Sequence, residues 1–319
     1  MTGPLSAYAV VTPARDEAEW LPQTAASLVA QQHRPAQWVI VDDGSTDATA
    51  AIARELAQRH EWITVAETGR AESRGRGAPV VAAFKRGLAA LTAEHEFVVK
   101  LDADLFLPAH YFAWVAGTFA REPRAGLVGG RLLVFDGREW TYDNVGRHTV
   151  HGAIKAYRRR AYDDVGGLHE TMGWDGIDEF QMTSRGWDVR VLSELVVLHY
   201  KQRGERQGSL RPRWEEGRGM RQVGYRGDFG LVRIGWRGLT ERPRVLSALP
   251  MLAAFAWHTL RRTPRIPDPG AIAAIRDYQR RRLVSLLTRR YDPTLGNAGE
   301  GPAFWNAEQA RRDLPDGEA

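Results

Sequence analysis

Three polar clusters in this sequence have the residue types and spacing to do chemistry. Asp42-Asp43-Gly44-Ser45-Thr46-Asp47 follows the apolar run WVIV, and Asp102-Ala103-Asp104 follows FVVKL. Pro13-Ala14-Arg15-Asp16-Glu17 follows YAVVT near the start. Carboxylates at the end of a buried strand cost stability unless a cation or hydrogen-bond donors are held there. Each acidic cluster alone reads as a helix cap or a turn. Together, at the ends of neighbouring strands, they read as a site. Asp-x-Asp in that position suits a hard divalent cation, Mg²⁺ or Mn²⁺, which prefers carboxylate oxygen and keeps positions open for diphosphate oxygens.

The elements that must position these clusters are legible around them. Tyr8–Thr12, Trp38–Val41, Trp62–Ala66 and Phe97–Leu101 are short, apolar and β-branched, which predicts buried strands. Helical patterns lie near 20–33, 47–60, 78–93 and 108–121, and Ser45-Thr46-Asp47 supplies capping side chains for the second. This alternation predicts an α/β fold, a mostly parallel sheet flanked by helices. Ligands of such sheets bind beyond the carboxyl ends of the strands, where the polar clusters stand. Looser strand patterns follow around 126–135, 151–157, 188–192 and 195–200, partly antiparallel in expectation. After about residue 204 the texture changes. VLSALPMLAAFAWHTL at 245–260 is bracketed by Arg242, Arg244, Arg261, Arg262 and Arg265, and a further helical pattern spans about 271–290. The expected organisation is an α/β domain over 1–204 and a basic helical extension over 205–319, ending in a loosely held tail.

Composition removes several function classes. The chain of 319 residues is 43% hydrophobic and 26% charged, an ordinary globular balance that rules out a disordered chain. With no cysteine there is no disulfide, thiolate metal site or cysteine nucleophile. No GxxxxGK[ST] loop is present and no GxGxxG follows the first strand, so ATPase and dinucleotide readings are weak. The start MTGPLSAYAVV has no basic and apolar leader, and no stretch reaches 18 apolar residues; the expectation is a cytoplasmic protein without a membrane span. The net charge of +5 is unevenly spread. Residues 1–200 carry 21 Lys and Arg against 26 Asp and Glu, whereas residues 201–319 carry 23 against 13. That asymmetry points the second part at something anionic, and with the apolar segment at 245–260 it suggests peripheral contact with the inner face of a membrane.

Five segments carry a resemblance. They are VVTPARDEAEWL at 10–21, WVIVDDGSTDAT at 38–49, RGRGAPVVAAFKRG at 74–87, VVKLDADLFLP at 98–108 and GWDGIDEFQMTSRGW at 173–187. In order and spacing these resemble the family 2 inverting glycosyltransferases of the GT-A fold, over roughly residues 7–200, and the extension looks like those of some bacterial members. The resemblance implies transfer of a sugar from a nucleotide-diphosphate donor, UDP by default, to an acceptor hydroxyl with inversion. It implies that Asp43 reads the nucleotide base, that Pro13 and Ala14 pass under base and ribose, and that Arg76 lies near base or phosphate. Asp104 would be the direct metal ligand, Asp102 would touch the ribose or the metal shell, and His199 would be a further ligand. The catalytic base would come from Asp178, Glu179 or Asp175, in that order. The family's Glu-Asp-x-Asp is replaced here by Asp175 and Asp178-Glu179, so the choice stays open. Trp174 would either face a sugar ring or pack.

The acceptor, a glycan or a lipid-linked molecule in expectation, is not specified by any motif. One rival reading is a sugar nucleotidyltransferase, but Pro13–Glu17 lacks that class's glycine-rich signature with a lysine. A second is a nucleic-acid-binding protein, suggested only by a pI near 9.6. No binding motif accompanies those basic residues, so no nucleic-acid partner is expected.

Overall fold

The computed structural model describes residues 5–68, 78–135, 140–143, 149–200, 210–240, 244–246 and 248–290. In chain order the first part runs β1 (Tyr8–Ala14), α1 (Leu21–Val29), β2 (Gln37–Asp42), α2 (Thr49–Arg59), β3 (Ile63–Glu67), α3 (Ala78–Ala89), β4 (Phe97–Leu101), β5 (Leu105–Phe106), α4 (Tyr111–Arg121), β6 (Ala125–Phe135), β7 (Trp140–Tyr142), β8 (Ile154–Arg158), α5 (Arg159–Asp164), α6 (Trp174–Ser184) and β9 (Asp188–His199). The extension adds α7 (Leu210–Gln222), α8 (Gly227–Thr240), α9 (Ala248–Leu260) and α10 (Pro269–Thr288).

The sheet runs β3-β2-β1-β4-β8-β6-β9-β5, with β7 paired to β6. β1 to β4 are parallel, and antiparallel pairing enters where β8 joins β4. Alternate residues of the first strands serve two cores. Val10, Ile40 and Val99 face one layer of helices, whereas Val11, Val39 and Val98 face the other. Burial on both faces explains why these strands read as unbroken apolar runs.

Several details differ from the sequence reading. The two strand patterns at 188–192 and 195–200 form one strand, β9. Its register against β6 jumps from Gly129↔Val191 to Arg131↔Val196, and this bulge is what split the pattern. The N-cap of α2 is Ala48, which has no side-chain cap bond; Asp47 just before it accepts the Thr49 N–H on Oδ1 at 2.9 Å. Thr46 turns outward instead and donates its N–H to Asp16 at 2.7 Å. The short strands β5 and β7 were not legible, being too brief to show a period.

The extension is anchored to α6. Ile177 packs with Val223, Ile266, Ala271 and Ile275 in one small core. Asp268 caps α10 by accepting the Ala271 N–H at 2.9 Å, and its other oxygen accepts from Arg185 at 3.0 Å and Gln181 at 3.3 Å. α9 lies close against α7 because Gly217 has no side chain; a Cβ there would stand 2.9 Å from the Ala254 Cβ.

Candidate active site

The ends of β1, β2 and β4 open on a cleft of about 290 Å³, bordered by Pro13, Ala14, Asp43, Asp102 and Asp104 among others. The parallel register aligns them, with Pro13 opposite Val41 and Ala14 opposite Asp42. The Asp43 N–H then donates to the Ala14 carbonyl at 2.9 Å. The loops after β1 and β2 are clasped together. Asp47 Oδ2 accepts the Ala18 N–H at 3.0 Å, and the Thr49 hydroxyl accepts the Glu17 N–H at 2.7 Å. Asp43 is largely buried and its carboxylate accepts the Thr68 hydroxyl. Five of the expected nucleotide-side residues therefore share one cleft. Arg76 lies outside the described residues.

Asp104 and His199 are brought together by the pairing of β5 with β9, which sets Leu105 opposite His199. The His199 Nε2 is 3.0 Å from Asp104 Oδ2, whereas its Nδ1 is buried without a hydrogen-bond partner. Burial opposes charging of this ring, but the bond to Asp104 and the charges of Asp104, Asp102 and Asp143 outweigh it and raise its pKa. Asp102 pairs with Lys100, a buried lysine that also donates to the Gly152 carbonyl at 2.8 Å. Burial pushes the Asp102 carboxyl up, Lys100 pulls it down and Asp104 adds to the rise. Among the described residues no three such side chains converge into a ready-made metal shell. The donor chemistry nevertheless fits a divalent cation: two carboxylates, and an imidazole with an orphaned buried nitrogen.

The acidic stretch of α6 is arranged otherwise than expected. Asp178 is fully buried; Lys155 Nζ donates to its two oxygens at 2.9 and 2.8 Å, and the Tyr157 hydroxyl donates at 2.6 Å. With these donors filling it and its carboxylate buried, Asp178 is the counter-ion of Lys155. Glu179 Oε1 accepts the Val150 N–H at 2.7 Å and lies 3.5 Å from Lys155 Nζ. Burial, opposed by Lys155 and reinforced by Asp178, pushes its carboxyl up to about 8. Asp175 is the exposed member, in the first turn of α6, with its carboxylate over Gly152. Trp174 packs and is not a free platform: it is 7% exposed, with Lys100 and Lys155 nitrogens 5.3 and 5.9 Å from its ring centre. Lys100, Lys155 and Tyr157 were missed as site residues, although a lysine inside FVVKL or IKAY is itself a signal. Asp175 also borders a second cavity, of about 370 Å³, between α6 and α7–α10.

A sequence pattern described as "Glycosyl transferase family 2" matches residues 9–172, just over half of the chain and all of the clasped strand ends. The chain belongs to glycosyl transferase family 2. No curated protein matches it in sequence. Solved structures share its fold at low identity. The mannosyltransferase PcManGT of Pyrobaculum calidifontis, solved with GDP-Man and Mn²⁺, is 18% identical; the match covers 92% of this chain and 81% of that one, with a TM-score of 0.50. Residues 1–349 of TarS from S. aureus, solved with UDP-GlcNAc, are 20% identical over 78% of this chain and 71% of that one, with a TM-score of 0.51. GalNAc-T7 with UDP, GalNAc and Mn²⁺ is 13% identical over 90% and 58%, with a TM-score of 0.60. This glycosyltransferase therefore has the GT-A fold expected of it, and neither rival reading is favoured.

The Lys155–Asp178 pair generates a first prediction. Asp178→Asn leaves a buried lysine half-compensated and should cost about 3–5 kcal/mol in urea unfolding. Combining Lys155→Met, Tyr157→Phe and Asp178→Leu should recover most of that loss, because paired charges and polar groups leave together. A second prediction concerns pH. Glu179 has a folded-state pKa raised from 4.5 to about 8, so between those values the folded state holds more protons than the unfolded one. Its contribution to stability therefore falls as pH rises through that window. Thermal midpoints of Glu179→Gln should gain steadily on the parent from about pH 5 to about pH 8; parallel curves would refute the raised pKa.

Proposed function

We propose that this glycosyltransferase moves a sugar from a nucleotide-diphosphate donor, UDP by default, to an acceptor hydroxyl in one inverting displacement. The observation that carries the reading is the convergence of Asp43, Asp102 and Asp104 on one cleft at the ends of β2 and β4. The nucleotide sugars and Mn²⁺ named with PcManGT and GalNAc-T7 support it by analogy of fold. Asp43 accepts the N–H of the base, and Pro13 and Ala14 line base and ribose. Asp104, His199 and Asp102 hold Mg²⁺ or Mn²⁺, which when bound supplies positive charge against the departing diphosphate.

Asp175 takes the role of base. It is the exposed carboxylate of the three candidates and stands in the first turn of α6. Glu179 is held protonated near neutral pH, and Asp178 is committed to Lys155. As the acceptor oxygen bonds to the anomeric carbon, the bond from that carbon to the diphosphate breaks on the opposite face. The hydroxyl proton passes to Asp175. Positioning of the reactants lowers the entropic part of the barrier.

We further propose that the extension lies on an anionic membrane surface. Among the described residues no helix is long and apolar enough to cross a membrane. α9 buries Met251, Ala254 and Phe255 on the protein side, yet Leu249, Leu252, Trp257 and Leu260 are exposed, as are Val232, Trp236 and Leu239 of α8. Arg244, Arg261 and Arg262 flank this apolar surface. Such a surface suits the headgroup boundary, and the arginines suit anionic lipid.

Asp175→Asn should lower turnover by about 10²–10⁴ while leaving Mn²⁺-dependent UDP affinity and melting temperature unchanged. EDTA, or Asp104→Ala, should abolish UDP binding in calorimetry; undiminished UDP affinity in EDTA would sink the metal-assisted reading. In flotation, the protein should rise with anionic vesicles at low salt and release at high salt, and Trp236→Glu with Leu249→Glu should prevent it. Absence of salt-sensitive flotation of the parent would leave the exposed face without a membrane role.

A further inference from the structure

The cavity between α6 and the extension has a lining unlike that of a sugar subsite. α6 contributes Ile177 and Phe180, α7 Met220, the turn after it Val223, and α10 Ile275 and Tyr278, all apolar or amphipathic. Asp175, Glu216, Tyr225 and Gln279 add polar groups, so the wall is amphipathic, with a continuous apolar part. Its charged groups are mainly arginines. Phe229, Arg233 and Arg237 recur every four residues along one side of α8, and Ile275, Tyr278 and Arg282 share one side of α10. Each helix thus carries the cavity from an apolar residue to a guanidinium. Arg237 is paired with Glu216 at 2.6 Å. Arg282 donates to the Tyr278 hydroxyl at 2.7 Å, and Arg233 is exposed with no ion pair among the described residues. The outer side of α8 continues into the exposed apolar surface of α9.

We propose that this cavity is the acceptor site and that the acceptor is lipid-linked: a phosphate ester of a long apolar chain that also carries the accepting sugar. The chain lies among Phe180, Met220, Val223 and Ile275, the phosphate meets Arg233 and Arg282, and the sugar hydroxyl reaches Asp175. Guanidinium groups match phosphate in geometry and charge, and burial of the chain supplies the apolar contribution. The assignment rests on the transferase reading with Asp175 as base, and it names the substrate class that reading leaves open.

Calorimetry on the full chain with three probes tests it. Farnesyl phosphate should bind, farnesol should bind at least tenfold more weakly, and inorganic phosphate alone should give no measurable heat. Gly219→Leu points a side chain into the cavity, since a Cβ there meets only Met172, at 3.6 Å. It should weaken farnesyl phosphate at least tenfold while UDP with Mn²⁺ binds as before. Gly176→Leu, at a position with nothing within 4 Å of its Cβ, is the second route should the first variant fail to fold. Arg233→Gln with Arg282→Gln should reduce the preference for farnesyl phosphate over farnesol to less than threefold. Equal binding of farnesol and farnesyl phosphate to the parent would overturn the proposal, as would farnesyl phosphate binding untouched by both cavity-filling variants. If the parent binds UDP with Mn²⁺ but not farnesyl phosphate, this proposal alone falls. If it binds neither, the transferase reading falls and takes the proposal with it.

Discussion

A lysine with no exposed surface, Lys155, is the constraint around which the catalytic half is arranged. A charge this deep is tolerated only when it is neutralised and fully hydrogen-bonded. Asp178 does the first, and the Asp175 carbonyl helps with the second by accepting at 2.5 Å. Because the lysine sits on β8 and its partners on α6, satisfying it fixes where α6 begins against the sheet. That in turn sets Asp175 over Gly152 and holds Trp174 between Lys100 and Lys155. Burial opposes the charge on Lys155, but the Asp178 carboxylate against it outweighs burial and raises its pKa.

Lys100 repeats the device at smaller scale. On β4, directly opposite Lys155 in the antiparallel pair with β8, it meets Asp102 at the cleft and the Gly152 carbonyl beneath α6. The two lysines thus link the acids at the strand ends to those of α6 through a single short segment, His151 to Lys155. A carboxylate cluster on an apolar sheet is stable here because its counter-charges are built into neighbouring strands.

The first four strands and the helices between them were legible because burial on both faces leaves a plain signature: short apolar runs separated by longer amphipathic ones. The strand-end acids were legible for the opposite reason, as polar residues where apolar ones would be more stable. The base was not. Asp175, Asp178 and Glu179 are equally acidic in sequence, and only the position of Lys155, more than twenty residues upstream, decides which of them is spent on neutralising it. Periodicity carries no information about such a distant pairing. Trp174 was ambiguous for a related reason, since its neighbours in space come from β4 and β8. In the extension, α9 was recognisable as an apolar helix, but which of its sides α7 covers depends on the close approach at Gly217.

The position of α6 separates two kinds of inheritance in this protein. One side of it rests on the sheet through Lys155 and Tyr157; the other packs on α7 and α10 through Ile177, Phe180 and Asp268's contacts. The cleft at the strand ends is made from the sheet, its loops and α3, whereas the cavity beside Asp175 is walled largely by the extension. Sequence drift in α7–α10 can therefore reshape what approaches Asp175 without disturbing the strand ends that hold Asp43, Asp102 and Asp104. On the reading proposed above, change confined to α7–α10 alters the acceptor and leaves the donor chemistry intact.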